Sequence, residues 1–216
     1  MNPLPPQLLL EHFGVFVAAI TGVLAARGKR IDLFGVLVLA LVTAFGGGTV
    51  RDLLVGDLPV VWLRGPGFLL HASLAALLTF FVERLRSLPY GALLVADAFA
   101  LALFTMIGTQ KGLFMAFSAP VAVLLGVVTG VAGGMLRDVL TGEVPLVFRP
   151  EIHLYATAAL CGAAVCVGLN RLGAGQNVAT LSGIGVVLAL RLAGIWWKLS
   201  LPMFESRQGE NKRTGM

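Results

Sequence analysis

Seven long apolar stretches divide this chain, and short polar segments separate them. Because the hydrocarbon core of a bilayer is about 30 Å thick, a spanning helix needs roughly 20 apolar residues, which each stretch approaches. A membrane β-barrel is excluded because its strands alternate apolar and polar residues, whereas these stretches are apolar all round. Charged residues make up only 12% of the chain, and its mean hydropathy is +0.90. We therefore predict an all-α membrane protein with seven transmembrane helices, at about 8–26, 31–55, 67–83, 89–109, 114–141, 153–170 and 177–199.

A 16-residue segment occurs twice, as GGTVRDLLVGDLPVVW from Gly47 to Trp62 and as GGMLRDVLTGEVPLVF from Gly133 to Phe148. The shift is 86 residues without a gap, and eight of the 16 positions are identical. This shift covers three predicted helices, and an odd number of spans inverts the second copy in the membrane. We therefore predict two inverted three-helix repeats, at about 11–82 and 97–168, followed by a seventh helix at about 177–199.

The distribution of basic residues predicts how the chain crosses the membrane. Cytoplasmic loops are enriched in Lys and Arg. With the amino terminus outside, ten basic residues fall on the inner side and three on the outer side. The inner residues are Arg27, Lys29, Arg30, Arg84, Arg86, Arg149, Lys198, Arg207, Lys212 and Arg213, and the outer ones are Arg64, Lys111 and Arg171. We predict the amino terminus outside, one transmembrane domain over 1–204, and a disordered cytoplasmic tail over 205–216. These scattered charges do not form a nucleic-acid-binding patch.

Glycines cluster inside the second and fifth predicted helices, as Gly46, Gly47 and Gly48 and as Gly133 and Gly134. Glycine costs a helix interior about 1 kcal/mol relative to alanine, so we expect both helices to kink or unwind there. Carbonyl groups released inside a membrane must face protein or water, and they are good cation ligands. The alternative is that the glycines only let helices approach closely. Their recurrence directly before a charged pair favours the first interpretation.

That charged pair is Arg51-Asp52 in the first copy and Arg137-Asp138 in the second. A charge in the middle of a spanning helix costs about 2.5 to 3.5 kcal/mol, so such residues usually face a partner or a water path. Neighbouring helical residues point about 100° apart, and Arg51 is therefore not expected to pair with Asp52. We predict cross-repeat pairs, Arg51 with Asp138 and Arg137 with Asp52. The alternative is that these residues lie at helix ends and extend to the interface.

Three further ionisable residues lie in or beside apolar stretches. Asp97 is either an acid at a pore mouth or the cap of the fourth helix. Glu11 aligns with Asp97 at the 86-residue shift, and a cap or interface role is favoured for it. Arg191, in the seventh helix, meets either lipid head groups or an acidic neighbour, and extension to the cytoplasmic interface is the simpler interpretation.

Enzymatic chemistry finds little support in the sequence. His12, His71 and His153 fall at three different helix starts without metal-ligand spacing, and the common nucleophile and phosphate-binding motifs are missing. Cys161 and Cys166 point to different faces of one helix. We predict no enzymatic activity, no metal site and no cofactor.

The three-plus-three-plus-one arrangement and the pair AFGGGTVRDLL and VAGGMLRDVL resemble the prokaryotic branch of the trimeric intracellular cation (TRIC) channels. The resemblance implies a homotrimer in the lipid of the bacterial cytoplasmic membrane, with one pore per protomer near the second and fifth helices. It implies potassium, with some sodium, as the permeant ion. The pore-lining positions it implies are Gly46, Gly47, Gly48, Thr49, Gly133, Gly134 and the pairs Arg51-Asp52 and Arg137-Asp138.

The leading hypothesis from the sequence is a passive, potassium-permeable channel. The main alternative is a secondary carrier of a small amino acid such as glycine, because inverted repeats with broken helices also suit alternating access, and related bacterial sequences are often labelled glycine transporters. A third hypothesis, that the chain is an accessory subunit without an ion path of its own, does not explain why the charged motif occurs twice.

Overall fold

The structure, a computed structural model, describes residues 5–89, 91–149 and 154–197. Within these ranges the chain forms seven α-helices: α1 Pro5–Ala25, α2 Leu33–Val55, α3 Pro66–Leu85, α4 Ala92–Phe114, α5 Ala119–Leu140, α6 Tyr155–Arg171 and α7 Gln176–Trp197. Six of them are long and apolar enough to cross a membrane, and α6, at 17 residues, is shorter than the others. The all-α prediction is confirmed. The predicted tail at 205–216 lies outside the described residues.

The fourth helix ends later than the sequence predicts. The predicted span ends near residue 109, but α4 continues through the polar residues Gln110 and Lys111 to Phe114. The amide of Gln110 binds the Thr180 hydroxyl inside the bundle, and Lys111 reaches the carboxylate of Asp57. Gln110 and Lys111 therefore find polar partners within the protein, and the helix can continue past them without placing unpaired polar groups among apolar neighbours.

The two repeats are inverted, as predicted. Lys29, which precedes α2, binds Glu143, which follows α5, with 2.5 Å between Nζ and Oε1. At the opposite end, Lys111 near the end of α4 binds Asp57, which follows α2. The start of α2 and the end of α5 therefore share one face of the bundle. We call this the α5–α6 face and the opposite one, where α2 ends and α3 begins, the α2–α3 face.

The local backbone repeats along with the sequence. In each copy of the motif a glycine with positive φ follows the helix within two residues, Gly56 at +67° and Gly142 at +70°. In each copy the next amide then binds back to the aspartate carbonyl, Asp57 N to Asp52 O and Glu143 N to Asp138 O, both at 2.9 Å. A short 3-10 turn follows each, at Val61–Leu63 and Leu146–Phe148. Equivalent residues therefore occupy equivalent positions at opposite faces.

The glycine clusters do not unwind their helices, so that expectation was wrong. Both α2 and α5 are continuous α-helices through these positions. A Cβ atom added to Gly47 would lie 2.2 Å from the Thr129 carbonyl oxygen, and one added to Gly133 would lie 2.6 Å from that of Thr43. The glycines therefore let two helices touch backbone to backbone. The close-approach alternative is the correct one for Gly47 and Gly133.

This contact predicts that Gly47→Ala destabilises the protein and that Gly48→Ala does not. The first substitution places a methyl group against a backbone carbonyl that has little room to move, which should cost about 1 to 3 kcal/mol. At Gly48 the nearest atom would be 3.7 Å away, an ordinary contact. Thermal unfolding of the purified variants in detergent measures the difference. Equal melting temperatures for the two variants would contradict the packing described here.

Candidate ion path

Four helices, α1, α2, α4 and α5, meet at the centre of the bundle around the waist, which we define as Thr43, Gly47, Thr129 and Gly133. Thr43 and Thr129 are equivalent positions, and each is buried. Each hydroxyl donates to the carbonyl four residues earlier, of Leu39 and of Leu125, at 2.6 Å. A cavity of about 10 Å³ lies against all four residues, which is room for about one water molecule. The waist is therefore closed in this conformation.

The Arg-Asp motifs flank the waist, and neighbouring residues do pair within each motif. Arg51 Nε donates to Asp52 Oδ1, and Arg137 Nε donates to Asp138 Oδ1, both at 2.8 Å. The prediction that adjacent residues would not pair was wrong. The two Cβ atoms do point in different directions, but the arginine side chain is long and flexible enough to reach back to the neighbouring carboxylate. All four side chains are buried rather than at the interface.

The second oxygen of each aspartate anchors the loop that follows its helix. Asp52 Oδ2 accepts from the Val61 amide at 2.9 Å, and Asp138 Oδ2 accepts from the Leu146 amide at 2.8 Å. Each aspartate therefore neutralises an arginine and holds the next 3-10 turn. Because both oxygens of each buried carboxylate are already hydrogen-bonded, we assign these aspartates a structural role rather than a ligand-binding one.

The predicted cross-repeat pairs do not form. Arg51 and Asp52 lie toward the α2–α3 face, whereas Arg137 and Asp138 lie toward the α5–α6 face. The inverted repeats thus place the two motifs at different depths, and the prediction required similar depth. The second partner of Arg137 is Asp97 of its own repeat, with 2.9 Å between Nη1 and Oδ1.

Asp97 is the centre of a buried network near the α5–α6 face. It lies in the second turn of α4, so the helix-cap interpretation was wrong. Besides Arg137, its carboxylate accepts from the Tyr155 hydroxyl at 3.3 Å and lies 3.6 Å from Arg191 Nη2. The Arg191 guanidinium also lies 4.5 Å from the centre of the Tyr155 ring. Arg191 is fully buried, so the expectation that it extends to the interface was wrong as well.

A much larger cavity, of about 880 Å³, opens at the α2–α3 face. We call it the α2–α3 cavity. Its wall combines apolar side chains with both acidic and basic residues: Glu11, Arg51, Asp52, Asp57, Arg64 and Lys111. Burial alone would raise the pKa of the Asp57 carboxyl group, but hydrogen bonds and charge from Lys111 and Arg64 lower it to about 2. Arg64 Nη2 lies 2.8 Å from Asp57 Oδ2.

Predicted site residues line two separate cavities rather than one. Arg51 and Asp52 line the α2–α3 cavity, whereas Asp97 and Arg137 line the small cavity at the waist. Gly47 and Gly133 lie at the waist, with Gly134 beside the same small cavity. Thr49 accepts the indole hydrogen of Trp62 at 3.1 Å, so its hydroxyl serves packing here. A Cβ at Gly46 would meet the Leu136 side chain at 2.6 Å.

Thr43, Thr129 and Tyr155 were not predicted from the sequence as part of this region, and Arg191 was not predicted as a partner of Asp97. Thr43 and Thr129 were missed although they align at the 86-residue shift, which was the available signal. Tyr155 and Arg191 carried no such signal, because leucine occupies the equivalent of Tyr155 and α7 lies outside both repeats. Among the residues that the structure describes, no three His, Cys, Asp or Glu side chains form a metal-binding group.

Comparison with known proteins places this geometry in a family. The family model described as "Glycine transporter" matches residues 8–84 and again residues 94–171, once in each repeat. A UPF0126 membrane protein of Vibrio cholerae is 43% identical over 197 residues, which cover 91% of this chain and 82% of the relative. The UPF0126 inner membrane protein YadS of Escherichia coli is 44% identical over 198 residues, covering 90% and 94%.

Solved structures agree with this assignment. The TRIC trimeric intracellular cation channel orthologue from Rhodobacter sphaeroides superposes with a TM-score of 0.85 at 38% identity, covering 91% of this chain and all of that one. A second TRIC cation channel structure, solved to explain conductance, gives a TM-score of 0.82 at 34% identity, covering 92% and 97%. The fold is thus that of a membrane protein with two inverted three-helix repeats and a seventh helix. The chain belongs to the UPF0126 family, the prokaryotic TRIC family.

The buried network predicts that Asp97→Asn is strongly destabilising. The substitution leaves Arg137 and Arg191 buried without the carboxylate they share, and breaking a buried ion pair in this way costs about 3 to 5 kcal/mol. The control is Glu83→Gln, which removes a partly exposed pair with Arg27. Such a pair contributes at most about 1 kcal/mol. Melting temperatures in detergent should fall far more for Asp97→Asn, and equal losses would contradict the network.

Proposed function

We propose that this chain is a cation channel of the cytoplasmic membrane, permeable to potassium, and that it works as a homotrimer with one ion path in each protomer. The likeness to two TRIC cation channel structures over more than nine-tenths of the chain supports this proposal. One of them is a trimeric channel orthologue. The relative in Escherichia coli is an inner membrane protein.

The proposed ion path runs from the α2–α3 cavity, past Arg51, through the waist and then past Arg137. One observation carries this proposal. The α2–α3 cavity reaches Arg51 in the interior of the bundle, and Arg51 lies one helical turn from Gly47 of the waist. Conduction then requires α2 and α5 to separate where Gly47 and Gly133 hold them together. The proposed path includes the sequence-predicted positions, which are Gly46, Gly47, Gly48, Thr49, Asp97, Gly133, Gly134 and the two Arg-Asp pairs.

The arginines do not rule out a cation path. Arg51 is bound to Asp52, and Arg137 is bound to Asp138 and Asp97, so each positive charge has a carboxylate within 2.9 Å. Each motif therefore presents little net charge to a passing ion. The waist offers the hydroxyl and carbonyl oxygens of Thr43 and Thr129, which are the kind of ligands that replace water around a monovalent cation.

The proposed orientation places the amino terminus outside and the α5–α6 face in the cytoplasm. Six of the basic residues counted for the inner side fall at this end of the described helices: Arg27, Lys29, Arg30, Arg84, Arg86 and Arg149. The positive-inside rule then puts this face in the cytoplasm. The α2–α3 cavity accordingly faces the outside.

Recording from the purified protein in a planar bilayer tests the channel proposal. We expect discrete current steps whose reversal potential follows the potassium gradient when chloride is present on both sides. The matched control is a bilayer treated with the same detergent without protein. Slow, saturable uptake of solute without current steps would contradict the channel.

A carrier of a small amino acid is the second candidate, and the match of both repeats to a family model described as "Glycine transporter" favours it. Proteoliposomes preloaded with unlabelled glycine separate the two functions. A carrier would accumulate labelled glycine by exchange, whereas a channel would pass potassium without exchanging glycine.

A further inference from the structure

Glu11 and Asp97 are equivalent residues of the two repeats, 86 positions apart. Asp97 has charged and polar partners, because its Oδ1 accepts from Arg137 and Tyr155 and its Oδ2 lies 3.6 Å from Arg191 Nη2. If the repeats were alike in detail, Glu11 would bind Arg51 in the same way that Asp97 binds Arg137.

Glu11 does not have these partners. Within the described ranges it forms no ion pair, and its Oε2 atom is buried without a hydrogen-bond partner. The Nε of Arg51 binds Asp52 instead. Leu69 stands at the position equivalent to Tyr155, and no helix of repeat one corresponds to α7 with its Arg191. Among the described residues, the difference between the repeats therefore leaves the Glu11 carboxyl group outside any ion pair, and Arg51, Lys111 and Arg64 act on it only through longer-range charge.

The other acids that line the α2–α3 cavity are already bound. Asp57 lies between Lys111 and Arg64, and Asp52 binds Arg51 and the Val61 amide. Glu11 is thus the one acid lining this cavity, among the described residues, that is outside an ion pair. A buried carboxylate without a partner is costly unless a ligand or water binds it. Glu11 as a whole is only half-buried, and the α2–α3 cavity that it lines, of about 880 Å³, is large enough for a hydrated cation to approach its carboxyl group.

We propose that Glu11 is a cation-binding residue of the α2–α3 cavity and that it concentrates and selects monovalent cations before they reach the waist. This inference rests on the proposed channel function. It makes the path asymmetric, with an acid that attracts cations at one end and, at the other, a network of Asp97, Asp138, Arg137 and Arg191 whose two negative and two positive charges balance.

Conductance of the Glu11→Gln variant tests this role. A unit charge about 6 Å from an ion raises its local concentration about threefold in water without salt. Screening over the Debye length of about 10 Å in 0.1 M KCl lowers this to about twofold, so we expect about a twofold lower potassium conductance there. The loss should disappear in 1 M KCl, where the Debye length is about 3 Å. The reversal potential in a KCl gradient should also shift toward that of chloride. Glu11→Asp, which keeps the charge, should retain most of the wild-type conductance.

The Glu83→Gln variant is the control, because it removes a carboxylate of the α5–α6 face that does not line the α2–α3 cavity. Unchanged conductance and selectivity in Glu11→Gln, with the wild type conducting, would overturn the inference and leave the channel proposal intact. A wild type without current would overturn the channel proposal instead.

A binding measurement tests Glu11 even without currents. Purified wild-type protein should melt about 2 °C higher in KCl than in N-methylglucamine chloride of the same ionic strength, because a ligand that binds only the folded state stabilises it. The difference should vanish in Glu11→Gln and persist in Glu83→Gln. A potassium-dependent shift that is the same in all three proteins would place the cation elsewhere and overturn the inference.

Discussion

The contact between the backbones of α2 and α5 determines the rest of this structure. Gly47 lies against the carbonyl of Thr129, and Gly133 lies against that of Thr43, so one contact is repeated about a pseudo-twofold axis. The flanking helices repeat the arrangement. Gly22 of α1 would meet the Thr43 hydroxyl at 3.0 Å if it carried a Cβ, and Gly108 of α4 would meet that of Thr129 at 2.4 Å. In the proposed function, the ion path opens between these helices where the same small residues now close it.

The seventh helix breaks this symmetry, and the asymmetry of the proposed path follows from that. In repeat two, Arg191 and Tyr155 surround Asp97 and fill the space near the α5–α6 face. Repeat one has no such additions around Glu11, which lines the α2–α3 cavity together with residues of α4 and of the start of α7. Two halves that began with nearly the same motif therefore differ in charge and in access to solvent. This gives the two ends of the proposed path different roles without requiring different folds.

Much of the fold could be predicted from the sequence, because apolar length and the 86-residue repeat depend only on local composition and order. The site could be predicted less completely. Whether a glycine unwinds a helix or admits a neighbour depends on what packs against it, and for Gly47 that is a carbonyl 82 residues away in sequence. The pairing of Arg51 with Asp52 depends on side-chain reach, and that of Arg137 with Asp97 on depth in the bundle. The pairing of Arg191 with Asp97 could not be predicted, because it depends on where α7 packs, and α7 lies outside both repeats.

The inverted arrangement of the two motifs is tested most directly by chemical labelling from one side of the membrane. Leu58 and Val144 are equivalent, exposed positions that follow the two motifs. Each is replaced by cysteine in a protein whose Cys161 and Cys166 are changed to alanine, and spheroplasts are treated with a membrane-impermeant maleimide. We predict that Leu58→Cys is labelled from outside, and that Val144→Cys is labelled only after lysis. Labelling of both positions in intact spheroplasts, or of neither until lysis, would contradict the inverted repeats.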